Sequence, residues 1–268
     1  MNGARGAESK PATAARIYDY LLGGIHNFPA DRAAARTVIA QFPFLPAAAR
    51  ANRAFVRRAV RFLVDAGIRQ FLDIGSGLPV EGNVHEIAQQ AAPDVRVVYV
   101  DIDPVAVAES QEFLHGNERA AAFRADMRDP RSILDHPALH RLLGSGRPTG
   151  LLMTGVLHFI PEDTEAYGPV ARLVAALAPG SYLALTHGAT ETLMSDEKYL
   201  QEVYRRQTST PSRTRTWSET ARFFTGGVEL LDPGLVWVPR WRPAPDDPAE
   251  LADLPEQSCA WAGVGRIG

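Results

Sequence analysis

From residue 70 onward the chain repeats one texture that few folds accommodate: short apolar runs, each followed by a stretch with helical spacing. Residues 71–74, 95–100, 121–124, 151–154 and 181–186 are bounded by turn residues and read as strands. Strands that alternate with helices specify βαβ units, so the expected class is α/β with a largely parallel sheet. Asp103-Pro104 and Asp129-Pro130 each set an N-cap acid before a proline at the first helical position, marking two of the intervening helix starts. Within residues 163–178, Tyr167, Val170, Leu173, Val174 and Leu177 recur at helical spacing, and Pro179-Gly180 closes that segment.

Upstream, residues 11–66 carry Ala- and Arg-rich helical patterns broken at Gly23-Gly24, Pro29, Pro43 and Pro46. The expectation is a helical extension over residues 1–66 that belongs to the same domain as residues 67–268. Downstream, a polar helix over 196–208, a Ser/Thr/Arg-rich loop and a short helix from about 218 to 224 precede two apolar runs, 228–238 and 258–267. The runs read as a closing hairpin, and the intervening "RPAPDDPAELADLPE" reads as a surface loop.

The 268 residues include 28 basic and 31 acidic ones, a net charge of -3, so no global field draws the chain to nucleic acid or an anionic membrane. Cys259 is the only cysteine, which excludes an internal disulfide framework and any cysteine-based metal cluster and favours a reducing, cytoplasmic setting. No signal peptide or membrane span is expected, since the most apolar run, "LLMTGVLHFI", is about half a span.

The chemistry begins at "QFLDIGSGLP", where the first strand of the sheet ends in an acid and two glycines. Ligands of open parallel sheets lie beyond the carboxyl ends of the strands, beside the point where strand order reverses. Gly75 and Gly77, flanking Ser76, allow a sharp turn and a close approach of backbone to ligand, and Asp73 can accept hydrogen bonds from loop amides or ligand. A dinucleotide fingerprint needs a third glycine where Val80 stands, and Pro79 removes an amide donor, so NAD and FAD are disfavoured. Asp101, at the end of the second strand, stands at the distance downstream where Rossmann-like domains present an acid to a ribose, and Asp103 has an adequate role as a helix cap. Just past the third strand, Asp126 can accept from an adenine amine while Ile102 and Met127 sandwich the ring, and Asp129 caps the next helix.

These residues in this order resemble the class I S-adenosylmethionine-dependent methyltransferases, with DIGSG as glycine motif, VDID as ribose motif and ADM as adenine motif. A wider likeness, carried by "ARIYDYLLGGIHNFPADR", "ANRAFVRRAVRFL", "NVHEIAQ" and "WAGVGRIG", is to an actinobacterial family of uncharacterised S-adenosyl methyltransferases, once catalogued as a domain of unknown function. The resemblance implies a Rossmann-like seven-stranded, mostly parallel sheet with helices on both faces and an antiparallel last strand inserted at one edge. It also implies N-terminal helices covering the cofactor, S-adenosyl-L-methionine, with S-adenosyl-L-homocysteine as product. Gly155, in the turn after the fourth strand, joins Asp73, Gly75, Ser76, Gly77, Asp101, Ile102, Asp126 and Met127 in the implied cofactor set. Family members often carry Lys-Asp where this chain has Ile25-His26, which argues against a charged role for that pair here.

A methyl sulfonium is already a strong electrophile, so no protein nucleophile is required and the residues need only align donor and acceptor and accept a proton where one leaves. His158, just past the fourth strand, is the candidate base, with a packed turn histidine as the competing reading. Tyr18, together with Asp19, Tyr20 and Asn27, can close over the methyl donor or bind its carboxylate; the plainer reading is a helix whose tyrosines pack on the sheet. Arg53 reads as an exposed helix arginine before it reads as a carboxylate ligand, and Arg205, Arg206, Arg213 and Arg215 read as a solvated loop before an anion site. His85 and His187 have no metal-ligand spacing, so no metal is expected. The expected partner is a small-molecule acceptor reacting through oxygen, nitrogen or carbon. The competing functions are a non-catalytic sensor or partner subunit that binds the cofactor, and a nucleotide-dependent oxidoreductase.

Overall fold

In a computed structural model of the chain, which describes residues 11–80, 82–191, 208 and 210–268, the alternating texture resolves into one sheet. Its strands are β1 (Gln70–Ile74), β2 (Arg96–Asp101), β3 (Ala120–Arg124), β4 (Gly150–Thr154), β5 (Tyr182–Gly188), β6 (Val228–Leu230), β7 (Val236–Trp237) and β8 (Ala260–Ile267). They run in the order β3-β2-β1-β4-β5-β8-β6, with β7 also paired to β8. Strands β1 to β5 are parallel, and β8 runs antiparallel between β5 and β6. This is the expected doubly wound sheet with its last strand inserted at one edge, enlarged by the two-residue β7. The run over 228–238 does not form one hairpin arm: it bends at Leu231–Leu235, so that β6 and β7 pair with different parts of β8.

Helices α1 (Ala14–Leu21), α2 (Pro29–Gln41) and α3 (Leu45–Asp65) precede the sheet, and the glycine and proline breaks fall between them or in their first turns. The crossovers carry α4 (Val84–Ala91), α5 (Pro104–Phe113), α6 (Pro130–Leu134), α7 (Pro137–Leu142) and α8 (Asp163–Ala175), and α9 (Trp217–Ala221) follows β5. The Asp103 side chain accepts from the Val105 amide at 2.8 Å and so caps α5. Asp129 holds the same position before α6, but its side chain makes no cap hydrogen bond; its carbonyl accepts from the Ser132 hydroxyl instead. The expected helix over 196–208 lies outside the described residues, except for Thr208.

Side-chain alternation divides the core into two layers, one on each sheet face. Phe71, Val97, Tyr99, Leu152 and Ala184 pack under α3 and α4, whereas Leu72, Val98, Val100, Met153 and Leu185 pack under α8 and its neighbours. Buried Phe55, Val60 and Leu63 anchor α3, each contributing about 1.5–3 kcal/mol by leaving water.

The segment read as a surface loop is docked onto α3. Arg58, nearly buried, donates to the carbonyls of Trp241 and Val238 at 2.8 Å each and pairs with Asp247, which Arg57 also reaches at 3.0 Å. Trp241 is fully buried and packs edge-on against Phe55 and Phe62. We expect Arg58→Met, which leaves two buried carbonyls and a carboxylate without this partner, to cost about 3–5 kcal/mol in urea unfolding. A loss below about 0.5 kcal/mol, the size of an ordinary surface change, would show the segment to be undocked.

Candidate functional site

Strand order reverses between β1 and β4, and the turn leaving β1 occupies that crevice. Gly75 and Gly77 hold φ of +73° and +67°, left-handed backbone that favours glycine. A Cβ on Gly75 would come within 2.3 Å of the Val156 side chain, so the turn seats against the segment after β4. At Gly77 nothing lies within 4 Å of that position, leaving an open face. The amides of Gly75 and Ser76 donate to the Val100 carbonyl at 2.8 and 3.2 Å, which ties the turn to β2.

Asp101, at the end of β2, is buried and accepts from the Gly77 amide at 2.7 Å and the Asp103 amide at 2.8 Å. Burial raises its pKa, and those amides oppose the rise. Asp73, Asp101 and Thr186 each stand two residues beyond a side chain of the α3-facing layer, namely Phe71, Tyr99 and Ala184, so all three project toward the N-terminal helices. Helix α3 meets them there. Asn52 accepts from the Thr186 hydroxyl at 2.8 Å and donates to the Tyr18 hydroxyl at 3.0 Å. Arg53 donates to the Gly82 carbonyl at 2.6 Å, and its charge acts on Asp73. Arg53 is therefore part of the strand-end cluster and not the exposed helix arginine that its local sequence suggests. Asn52 lies in the stretch ANRAFVRRAVRFL, but nothing in that stretch singles it out, and its contacts are visible only in three dimensions.

The remaining candidates divide. Gly155, at φ +74°, lies beside Asn52. Asp126 lies just beyond β3 but is engaged by its own neighbour: Arg128 donates to it through Nε at 3.0 Å and Nη2 at 2.6 Å, which holds its carboxyl below the usual range. Ile102 is half exposed at the strand ends, whereas Met127 is buried in the opposite core layer with Leu72 and Val100. Asp19 and Asn27 serve their own turn, with the Asn27 amide donating to Asp19 and to the Gly24 carbonyl at 2.8 Å each, and Tyr20 packs on the small α1–α2 core. The Tyr18 hydroxyl donates to the Ala49 carbonyl at 3.1 Å and burial raises its pKa, so it is not poised to take a proton.

His158 sits in a short 3-10 turn after β4, where burial and the nearby Arg215 lower its pKa to about 4. Its Nδ1 is buried with no hydrogen-bond partner among the described residues. Arg215 is the clearest departure from the sequence reading. It is fully buried, donating to His187 Nε2 at 2.9 Å, to the carbonyls of Leu157 and Ile160, and to Asp163 at 3.0 Å. Arg213, still partly exposed, donates to Asp163 and Glu219, so it is tied to α8 and α9, while Arg205 and Arg206 lie outside the described residues. His85 is paired with the Tyr99 hydroxyl at 2.7 Å. No group of three or more His, Cys, Asp or Glu that could hold a metal ion occurs among the described residues. No helix among them is long and apolar enough to cross a membrane.

A family model described as S-adenosyl methyltransferase matches residues 2–268. The chain belongs to the S-adenosyl methyltransferase family. A DUF574 family protein from Streptomyces avermitilis MA-4680 is 42% identical, with a TM-score of 0.90 over 96% of this chain and 98% of that one. A candidate methyltransferase from Thermobifida fusca YX is also 42% identical, with a TM-score of 0.86 over 97% and 96% of the two chains. An O-methyltransferase family protein from Burkholderia thailandensis shares the fold at 15% identity and a TM-score of 0.52, over 88% of this chain and 62% of that one. No curated protein matches the sequence. The cofactor of this S-adenosyl methyltransferase is S-adenosylmethionine. The strand ends suit a cationic nucleoside: Gly77 leaves an open face beside the buried Asp73 and Asp101 carboxyls.

Asp73 gives the methyltransferase a signed pH dependence. Burial is the main cause that lifts its pKa from 3.8 to about 7, with Asp101 adding to the rise and Arg53 opposing it. Between those values the folded chain holds a proton that the unfolded chain has released, so this residue's contribution to stability falls as pH rises from about 4 to about 7. We expect Asp73→Asn to lose less melting temperature than the parent chain between pH 5 and pH 8. Parallel pH profiles for the two proteins would contradict the raised value.

Proposed function

We propose that this methyltransferase is catalytic, that it transfers the methyl group of S-adenosylmethionine to a small molecule, and that residues 1–268 act as one domain whose N-terminal helices cover the cofactor. The Asp101 carboxylate carries the reading. A carboxylate offers about four lone-pair positions. Asp101 commits one on each oxygen to a backbone amide, which leaves a matched pair for two vicinal ribose hydroxyls.

Around that anchor, Gly75, Ser76 and Gly77 bring backbone close to the amino-acid end of the cofactor, with Gly155 on the β4 side. Arg53 is the counter-ion for the cofactor's carboxylate, and Asp73, whose ionised form a nearby cation favours, faces its positive centres. Ile102 supports the adenine. Asp126 accepts from the adenine amine when Arg128 turns toward Glu165, which already lies 3.5 Å from its Nη1. Met127 contributes its backbone and its place in the core and does not stack on the ring.

Bound S-adenosylmethionine supplies an electrophilic methyl sulfonium that needs no protein nucleophile. The chain's own residues align, desolvate and handle the proton. His158, neutral at ordinary pH and with no partner for its buried Nδ1 among the described residues, lies on the acceptor side and can hydrogen-bond an acceptor only where binding opens a path to that atom; a group with a pKa near 4 does not retain a proton at pH 7. Tyr18, its hydroxyl committed to Ala49, lines the donor side without acting as a base. The sole cysteine and the balanced charge favour a cytoplasmic protein acting on neither nucleic acid nor membrane.

We expect Asp101→Asn to weaken S-adenosylhomocysteine binding by about ten- to a hundredfold in calorimetry, the scale of losing charge-assisted hydrogen bonds. Unchanged affinity in the folded variant would refute the ribose assignment. Transfer of labelled methyl to a member of a metabolite panel tests catalysis separately from binding.

A further inference from the structure

The acid read as the ribose ligand does not stand alone: a buried polar chain connects it to the N-terminal helices. Arg16, on α1, donates through Nε to Asp31 at 2.9 Å and through Nη1 to Asp103 at 3.2 Å, and its Nη2 donates to the Pro11 carbonyl. Asp31, at the start of α2, is completely buried and also accepts from the amides of Thr13 at 3.0 Å and Phe28 at 2.8 Å. Asp103 accepts on one oxygen from the Val105 amide and on the other from the Thr13 hydroxyl, both at 2.8 Å. The Asp103 amide then donates to Asp101 at 2.8 Å, and the other oxygen of Asp101 accepts from Gly77 at 2.7 Å.

One guanidinium thus serves two buried carboxylates that stand on different parts of the chain, and it serves them only when α1 is seated against the start of α5. With Arg16 withdrawn, Asp31 and Asp103 keep their amide donors but lose their shared counter-charge, an unfavourable state for buried acids. Besides the Thr13 hydroxyl, which also holds Asp103, His26 lies 3.9 Å from Glu109, a pair half exposed on both sides that contributes little.

We propose that Arg16 is a positioning residue for cofactor binding: by holding Asp103 it fixes the Asp101 carboxylate and the glycine turn, so that docking of the N-terminal helices and binding of the nucleoside favour one another. This rests on the reading of Asp101 as the ribose ligand. Coupling of this kind is reciprocal, so the cofactor also holds the helices down.

The test is calorimetric binding of S-adenosylhomocysteine to the full chain, for the parent, Arg16→Gln, Arg16→Lys and Asp101→Asn, below the melting temperature of each. Coupling predicts a loss of about tenfold or more for Arg16→Gln, with part of it restored by Arg16→Lys. A merely structural arginine lowers the melting temperature and leaves the affinity of the folded protein unchanged. If Asp101→Asn weakens binding and Arg16→Gln does not, the coupling is overturned while the ribose reading stands. If Asp101→Asn has no effect, the ribose reading falls and this inference falls with it. Hydrogen exchange on the parent protein adds a test that needs no variant, and so covers an Arg16→Gln chain that does not fold. S-adenosylhomocysteine should slow exchange over residues 14–21 together with 101–105; slowing confined to 75–77 and 101–105 would overturn the proposal.

Discussion

The carboxylate of Asp101 is the constraint on which the strand-end architecture depends. It accepts from Gly77 on one side and Asp103 on the other, joining the glycine turn to the start of α5 across the end of β2. Such a junction is rigid because charge-assisted bonds inside a low-dielectric crevice are strong, and an unpaired acid there is costly. Gly75 and Ser76 add their bonds to Val100, so the turn is held by β2 as firmly as by its own strand. A junction built this way holds the Asp101 oxygens in fixed positions at the end of β2.

Buried arginines organise the rest of the molecule. Arg58 and Arg215 each bind acids and main-chain carbonyls contributed by segments distant in sequence, and Arg16 joins Asp31 and the neighbouring Pro11 carbonyl to the distant Asp103. A guanidinium suits this task because it carries five donors in a planar fork and stays charged when desolvated. Arg215 gathers the turn after β4 around His187 and Asp163, and its charge helps keep His158 neutral. The same residue type that fastens the loops thereby sets the electrostatics around His158.

Much of this was legible in the sequence, and the limits have a physical cause. Strands β1 to β5, the cap at Asp103 and the glycine turn are encoded by local periodicity and by residues whose backbone preferences are strong. The docking of Arg58 on Asp247 and the burial of Arg215 are contacts across many residues, and no spacing rule announces them, so charged and proline-rich stretches read as solvated loops. Asp126 illustrates the converse: its position after β3 was readable, but its pairing with Arg128 two residues on depends on side-chain rotamers. Met127, beside it, is drawn into the core because an apolar side chain at that point reaches the layer under Val100.

The most direct measurement is a crystal structure with S-adenosylhomocysteine bound. Both ribose hydroxyls should lie within about 3.2 Å of the Asp101 carboxylate, with the Gly77 and Asp103 amides still donating to it and the adenine against Ile102. A nucleoside seated elsewhere, with Asp101 bonded to those two amides alone, would contradict the ribose assignment.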